Sequence, residues 1–217
     1  MQQIITGLPL EIIKKVEVKE NGELLVKIPE GEKIKLLHEH KYLSPLLRKS
    51  VCERLIKAAN NLPEGYKLLI VTAYRPIEMQ KEMWRSRLWQ MAKAYPLEMI
   101  FRYRKWKKTV GQYTAPPGGS PHQCGAAVDL TILDENNSRL DMGSSFTDFG
   151  KKVHTHSNLV SSEQKKNREI LFKLMTNVGF VNYPLEWWHY SYGDRTWAAY
   201  SEEKECFYGP ILKENIT

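Results

Sequence analysis

The segment from Ala126 to Leu133 constrains the fold most, because a single charged residue, Asp129, interrupts a run that otherwise carries no charge. Short apolar runs of this length are typical of strands buried within a sheet. An isolated carboxylate in such a strand would destabilise the fold by several kcal/mol. The fold must therefore bring a cation, such as a metal ion, or backbone amide donors to Asp129.

The N-terminal part of the chain predicts a hairpin followed by a helix. Apolar and polar residues alternate over residues 14–29 on both sides of Asn21-Gly22, a dipeptide that suits a tight type I′ turn. Ser44-Pro45 has the features of a helix N-cap followed by proline in the first turn. Helical spacing of apolar residues continues from there and should end near Pro63.

Residues 68–71 form a short apolar run that predicts a buried strand. A second helical pattern begins at Pro76 and runs to about Ala94. Arg75 is therefore expected at a junction between a strand and a helix.

The second half of the chain contains one more clear helix and a returning strand. Ser161 or Ser162 should cap the helix, and Gly179 is well placed as its C-terminal stop. Residues 187–192 are rich in aromatic side chains and should return to the sheet. Helices and strands alternate without a regular βαβ period, so we expect a single α+β domain over residues 1–217, with a largely antiparallel central sheet flanked by helices.

The chain is basic, with 32 Lys and Arg against 25 Asp and Glu and a net charge of +7. The densest basic patch is the segment 101–108, where aromatic residues lie between the cations. We interpret it as a solvated face beside a few core aromatics. Nucleic-acid binding is not expected, because no nucleic-acid motif accompanies the patch. Attraction to anionic cell-wall material stays open.

The sequence contains few features that indicate a cellular compartment. The first residues of the chain lack the basic start of a secretory signal, and no run approaches the roughly 20 apolar residues of a membrane span. Three widely separated cysteines, Cys52, Cys124 and Cys206, suit neither a disulfide framework nor a Cys-based zinc site. We expect a cytoplasmic protein without a membrane span, and a periplasmic location is the alternative.

Three potential metal ligands occur in the second half of the chain, namely His122, Asp129 and His189. Two imidazoles and a carboxylate give zinc three protein ligands and leave a fourth position for water, as hydrolysis requires. Glu186 precedes the last ligand by three residues. Because residues three apart on an ideal strand lie on opposite faces, the segment must bend near Pro184 for both side chains to reach one cavity. Each histidine taken alone is more often a structural residue than a ligand.

Two longer motifs contain these residues. They are Ser120-x-His122-x-x-Gly125-x-Ala127-x-Asp129 and Glu186-Trp187-Trp188-His189. Both resemble the paired zinc motifs of the D-alanyl-D-alanine dipeptidases of the VanX type, which are relatives of the D,D-carboxypeptidases. Tyr74-Arg75-Pro76 resembles the arginine-bearing turn of that family, and Asn167-Arg168 resembles part of the helix that leads to its last zinc ligand.

The resemblance implies one Zn²⁺ per chain, with His122, Asp129 and His189 as ligands at the sheet. It also implies that Glu186 is the catalytic base and that Arg75 contacts the transition state. The counterpart of Ser120 in the family binds the substrate carboxylate, and the resemblance implies the same role here. The alternative is that the Ser120 hydroxyl stabilises the turn.

Two departures from the family pattern concern the substrate pocket. Residues 1–45 contain no match to the family's tyrosine segment, which helps to enclose the dipeptide. Thr147 stands where the family has an aspartate for the substrate amino terminus, and Asp148 follows one residue later. We expect Asp148 to take over that contact.

The resemblance implies hydrolysis of D-Ala-D-Ala or related short D-amino-acid peptides, so the expected partner is a small peptide. One alternative is a D,D-carboxypeptidase or endopeptidase that acts on larger muropeptides. Another is a catalytically silent metal-binding module that uses the basic patch to bind a polyanion.

Overall fold

A computed structural model of the protein describes residues 7–40 and 44–211, without the side chains of residues 112 and 113. The helices in these ranges are α1 (Leu10–Ile13), α2 (Lys49–Asn60), α3 (Ile77–Ala94), α4 (Pro96–Phe101), α5 (Tyr103–Tyr113), α6 (Ser162–Thr176) and α7 (Arg195–Tyr200). The strands are β1 (Glu17–Val18), β2 (Leu25–Lys27), β3 (Ile34–Leu36), β4 (Leu46–Arg48), β5 (Lys67–Thr72), β6 (Ala127–Leu133), β7 (Val181–Asn182), β8 (His189–Ser191) and β9 (Glu205–Cys206). Short 3-10 turns span Pro121–Cys124 and Lys151–Val153.

The central sheet has the strand order β3-β5-β6-β8-β7. Its pairings are antiparallel except for the one between β3 and β5, which is parallel. The chain passes through β4 and α2 between β3 and β5, and such a crossover allows the second strand to run in the same direction as the first. The α+β class is therefore confirmed, while the sheets are mixed and the largely antiparallel sheet is only partly correct.

The predicted hairpin over residues 14–29 is wrong. β1 pairs in parallel with β9, and β2 pairs antiparallel with β4. The chain does turn at Gly22, where φ is +73°. However, Arg48 is only 6% exposed and needs acceptors: it bonds the carbonyl of Glu23, and its Nη2 lies 3.2 Å from Glu20 Oε2. Arg48 thus ties both sides of the turn to itself. Beyond the turn the arms pair with different segments, because the N–H groups of Lys19 and Asn21 donate to the carbonyls of Cys206 and Phe207, while the N–H of Lys49 donates to the carbonyl of Leu24.

Helix α2 begins at Lys49 rather than at Ser44, because the intervening residues form β4 against β2. Its apolar face still packs into the main core through Val51, Leu55 and Ala58. The helix that should start after Pro76 is confirmed as α3. Ser161 caps α6, since its side chain accepts a hydrogen bond from the backbone N–H of Gln164 at 3.2 Å.

Helices α3, α4 and α5, together residues 77–113, form a helical arm that has its own small apolar cluster. Met91, Trp106 and Val110 are buried at its centre. In the part of the chain that is described, no helix combines the length and the apolar character that crossing a bilayer requires.

Candidate metal centre and active site

Strands β6 and β8 bring Asp129 and His189 together. The two residues are direct partners in the antiparallel register, so their side chains project from the same face of the sheet. His189 Nδ1 lies 2.9 Å from Asp129 Oδ1. The charged residue that interrupts the buried strand therefore has an imidazole partner.

His122 joins this pair from the 3-10 turn that precedes β6. Gly125 ends that turn with φ of +65°, and a Cβ atom there would lie only 2.4 Å from Leu25 Cδ2, so the position requires glycine. His122 Nε2 lies 3.2 Å from Asp129 Oδ2 and 3.2 Å from His189 Nδ1. Among the described residues, these three side chains converge with one ligand atom each, and all three atoms lie within 4.8 Å of one another.

The orientation of His122 is fixed by the backbone. Its Nδ1 lies 2.7 Å from the carbonyl oxygen of Ala73, which can only accept, so Nδ1 carries the proton. Burial lowers the pKa of His122 to about 4, which keeps the ring neutral at pH 7 and leaves a lone pair on Nε2. That lone pair faces a carboxylate oxygen of Asp129. Two acceptors at this distance repel each other unless a cation lies between them, so the donor set fits a zinc ion.

Asp129 and His189 shift each other's pKa in opposite directions. Burial raises the pKa of Asp129, but two neighbours outweigh it: His122, which becomes protonated below about pH 4, and His189, through its hydrogen bond and charge. Together they hold the pKa of Asp129 well below its usual range. Burial lowers the pKa of His189, but the hydrogen bond and charge of Asp129 reverse this and raise it.

Glu186 lies in consecutive turns between β7 and β8, not on a strand. Its N–H donates to the carbonyl of Tyr183 at 2.9 Å, and the N–H of His189 donates to the carbonyl of Glu186 at 3.2 Å. Asn182 Nδ2 donates to the carbonyls of Glu186 and His189. Because the backbone turns here, Glu186 and His189 line the same cavity. Burial raises the pKa of the Glu186 carboxyl to about 7.

Arg75 lies between the end of β5 at Thr72 and the start of α3 at Ile77, at the expected junction, and the residue is only 6% exposed. Nη1 donates to Gln80 Oε1 at 2.9 Å, and Nη2 lies 3.9 Å from Asp129 Oδ2. Gln80 is fully buried and donates in turn to the carbonyl of Ala115 at 2.6 Å. This chain of bonds holds the guanidinium at the metal centre, and Gln80 had not been singled out from the sequence.

A cavity of about 160 Å³ opens beside these groups. Ser120 lies on its buried inner wall, while Asp148 lines it from an exposed loop. Asp148 Oδ2 accepts a hydrogen bond from the N–H of Ser145 at 2.8 Å, which orients the carboxylate. Thr147 does not line the cavity, and its Oγ1 lies 3.1 Å from Ser145 Oγ. The structure therefore brings together all of the site residues expected from the sequence.

Several cavity residues were not expected from the sequence. Leu10 and Ile13 of α1 close one side, and Met83 and Arg87 of α3 form another wall. His40, which matches no motif, does not line the cavity but is half-buried near it: burial lowers the pKa of His40, and the charge of Asp129 offsets part of that shift. These residues come from distant parts of the chain, and no local pattern marks them.

Arg168 of α6 fixes the loop that carries the outer cavity wall. Its guanidinium donates to the carbonyls of Met142, Lys152 and His154 and to Ser144 Oγ. Burial lowers the pKa of Arg168 to about 10. The same loop presents Phe146, whose ring packs 5.2 Å from the ring of Trp187 and lines the cavity.

Most of the chain matches a known protein family. Residues 36–209 match the model of peptidase family M15, described as D-ala-D-ala dipeptidase. The chain belongs to this family. Membership confirms the expected hydrolase class and zinc dependence.

Curated M15 relatives share the name D-alanyl-D-alanine dipeptidase. The protein of Synechocystis sp. is 29% identical over 94% of this chain and 98% of its own length. The Escherichia coli protein is 29% identical over 76% of each chain, and the Enterococcus faecium protein is 40% identical over 33% of this chain and 36% of its own.

Solved structures with some similarity include two peptidases. One is the LdcB LD-carboxypeptidase, with 20% identity, a TM-score of 0.47, and coverage of 91% of this chain and 89% of that chain. The other is VanYB in complex with D-alanine-D-alanine, with 18% identity, a TM-score of 0.44, and coverage of 88% and 94%.

Proposed function

We propose that this M15 peptidase hydrolyses the peptide bond of D-Ala-D-Ala or of closely related short D-amino-acid peptides. His122, Asp129 and His189 would hold zinc, and Glu186 would act as the base. The observation that carries the proposal is the convergence of three ligand atoms within 4.8 Å beside a buried carboxyl in one cavity. The curated relatives that match most of the chain share the name of this activity.

Zinc, when bound, supplies Lewis acidity that polarises the peptide carbonyl and acidifies water. Glu186 takes the proton of the attacking water and delivers it to the leaving amine. A base works best with a pKa close to the operating pH, and burial raises the pKa of Glu186 to about 7. The carboxyl can therefore both accept and release a proton near neutral pH.

Arg75 stabilises the oxyanion that forms at the attacked carbonyl. Its guanidinium is buried, fixed by Gln80 and held 3.9 Å from the carboxylate of Asp129. A donor that is already in position needs no reorganisation as charge develops, which is the main source of such stabilisation.

Ser120 and Asp148 bind the two ends of the peptide. Ser120 lies on the inner wall, where its hydroxyl can donate to the substrate carboxylate, while Asp148 at the mouth suits a substrate ammonium group. Asp148 lines the cavity and Thr147 does not, which supports the proposal that Asp148 makes the contact with the substrate amino terminus.

The curated relatives favour a dipeptide over a larger muropeptide, since those that match most of the chain share the dipeptidase name. The cavity volume is about 160 Å³, and α1 closes one side through Leu10 and Ile13, although residues 1–45 lack the tyrosine segment. The catalytically silent alternative is not favoured, because the base and the ligand set are both present in a member of a peptidase family.

The substrate assignment is tested by comparing hydrolysis of D-Ala-D-Ala, L-Ala-L-Ala and a muropeptide ending in D-Ala-D-Ala by the zinc-loaded protein. We expect kcat/KM for the free D,D-dipeptide to exceed both others by about 100-fold or more, a range typical of differential transition-state binding. Glu186→Gln serves as the control for contaminating peptidases. Equal or greater hydrolysis of the muropeptide would assign the protein to the larger-substrate alternative.

We further propose that the chain forms one catalytic domain. We also propose that it works in a reducing compartment, which agrees with a cytoplasmic location. Cys52, Cys124 and Cys206 are all buried and unpaired with one another. Burial raises the pKa of each thiol, which keeps the thiols protonated and unreactive.

A further inference from the structure

The helical arm carries nearly all of the excess positive charge of the protein. Residues 77–113 contain nine Lys and Arg and three Glu, a net charge of +6 out of +7 for the whole chain. The rest of the molecule is almost neutral. No acidic residue occurs in the sequence between Glu98 and Asp129. The charge is therefore concentrated on the helical arm.

The end of the arm also exposes large apolar side chains. In α4, Leu97, Ile100 and Phe101 are 67%, 63% and 78% exposed. Their spacing of three and four residues places them on one face of the helix, while Met99 packs against the apolar cluster of the arm. Tyr95 and Tyr103 flank α4 and are also exposed. We call residues 95–105 the arm tip.

These exposed residues are not needed to hold the arm together. Met91, Trp106 and Val110 form its buried cluster, and Trp106 Nε1 donates to the carbonyl of Met91. Of the aromatic residues in the basic segment 101–108, only Trp106 is a core residue. The interpretation of this segment as a solvated face is thus correct for its cations, while Phe101 and Tyr103 lie at the surface.

We propose that the arm tip docks on the surface of an anionic lipid bilayer. Leu97, Ile100 and Phe101 would enter the boundary between headgroups and acyl chains. Arg102, Arg104 and Lys105, which are exposed directly after α4, would lie at the level of the lipid phosphates. Apolar side chains beside a cluster of Lys and Arg are the features of peripheral binding to anionic membranes.

Other occupants fit the tip less well. A second copy of the chain would bring a second arm with a charge of +6 against the first, which opposes self-association. Nucleic acid offers stacking partners for Phe101 and Tyr103, but it offers no apolar environment for Leu97 and Ile100. A bilayer with anionic headgroups satisfies both the charges and the aliphatic side chains.

Docking through the tip would set the position of the cavity relative to the membrane. Met83 and Arg87 of α3 line the cavity, and α3 then runs away from it towards the tip. Arg87 precedes the arm tip by eight residues, about 12 Å along a helix axis, so this wall of the cavity would lie on the order of 10 Å from the lipid surface.

The experiment is co-sedimentation of the full-length, zinc-loaded protein with phosphatidylcholine vesicles, with or without about 30% phosphatidylglycerol. We expect binding to the anionic vesicles only, and weaker binding at high salt. Each cation near an anionic leaflet contributes roughly a factor of five. The triple variant R102Q/R104Q/K105Q should therefore lower the partition coefficient by about 100-fold, and L97S/I100S/F101S should lower it at least tenfold.

Matched variants control for charge and for apolar exposure. K57Q/K166Q/K204Q removes three exposed cations outside the arm, and L24S/L159S removes two leucines that are 68% and 62% exposed. Both controls should bind like the wild type, and every variant should keep the wild-type circular dichroism spectrum.

Four outcomes would overturn the proposal. They are no binding to anionic vesicles, equal loss of binding in the control variants, tighter binding to duplex DNA or RNA than to vesicles, and a dimer in solution that L97S/I100S/F101S dissociates.

Discussion

Removing the guanidinium of Arg75 should reduce turnover strongly without removing zinc. Three contacts fix its position. The side-chain Nη1 donates to Gln80, the backbone N–H of Arg75 donates to the carbonyl of His122 at 3.0 Å, and Nη2 lies 3.9 Å from Asp129 Oδ2. The loss of one such fixed donor to an oxyanion reduces kcat by about 10²–10³, which corresponds to roughly 2.7–4 kcal/mol. We expect a reduction of that size in Arg75→Ala.

Arg75→Lys distinguishes geometry from charge. A lysine ammonium carries the same charge, but it lacks the planar fork that can bond Gln80 and face the cavity at once. Its kcat should be intermediate. Gln80→Ala removes the bond that orients Arg75 and should reduce kcat by about tenfold, in the range of misplaced catalytic groups.

The assay is steady-state hydrolysis of D-Ala-D-Ala, with zinc content measured on each preparation so that kcat is expressed per zinc ion. Arg75 is not among the proposed ligands, so zinc content should stay at the wild-type level. If Arg75→Ala keeps kcat within about threefold of the wild type, or if its loss of activity only follows a loss of zinc, the proposed role of Arg75 is wrong.

Three further predictions follow from the site and its supports. Burial raises the pKa of Glu186 to about 7 and the base must be ionised, so kcat/KM should rise with pH to a plateau. Bound zinc favours the charged carboxylate, so the midpoint of this rise should lie at or below pH 7. A profile that is flat from pH 5 to 8 would argue against this base. Zinc at about 100 times its Kd should raise the Tm by roughly 5–10 °C over the chelator-treated protein in a thermal melt, and an unchanged Tm would contradict metal binding by the folded state. Arg168→Met should lower the free energy of unfolding, measured in urea, by roughly 3–5 kcal/mol, because the carbonyls of Met142, Lys152 and His154 lose their hydrogen-bond donor. A change below about 1 kcal/mol would show that water replaces the guanidinium as the donor.

Local signals in the sequence were enough to locate several elements. The run from Ala126 to Leu133 is the buried strand β6 apart from its first residue, and Ser161 caps α6. Arg75 lies between β5 and α3 as the apolar run and Pro76 indicated. Each of these depends on residues close together in the chain, where propensity and capping decide the structure.

Long-range pairing was not predictable from local patterns. Asn21-Gly22 marks a real turn, yet Glu17 pairs with Glu205 and Val26 pairs with Leu47. The buried guanidinium of Arg48 requires acceptors from residues 20 and 23, and that requirement appears only when distant segments pack. Tertiary contacts overrode the alternating pattern.

In the candidate site, too, the motifs predicted which side chains take part, but not the long-range contacts that orient them. The motif resemblance named the three converging side chains and Glu186, and residue chemistry explained why they suit zinc. The bonds that orient them, such as His122 to the carbonyl of Ala73 and Arg75 to Gln80, join residues that no motif connects. The enclosure of the cavity by Leu10 likewise depends on the folded chain.

The assignment of ligands and base is tested most directly by measuring zinc content and D-Ala-D-Ala turnover side by side in the wild type, His122→Ala and Glu186→Gln. We expect about one zinc ion per wild-type chain, loss of both zinc and turnover in His122→Ala, and full zinc content with turnover reduced by at least about 10²-fold in Glu186→Gln. Full zinc content in His122→Ala, or near-wild-type turnover in Glu186→Gln, would contradict this assignment.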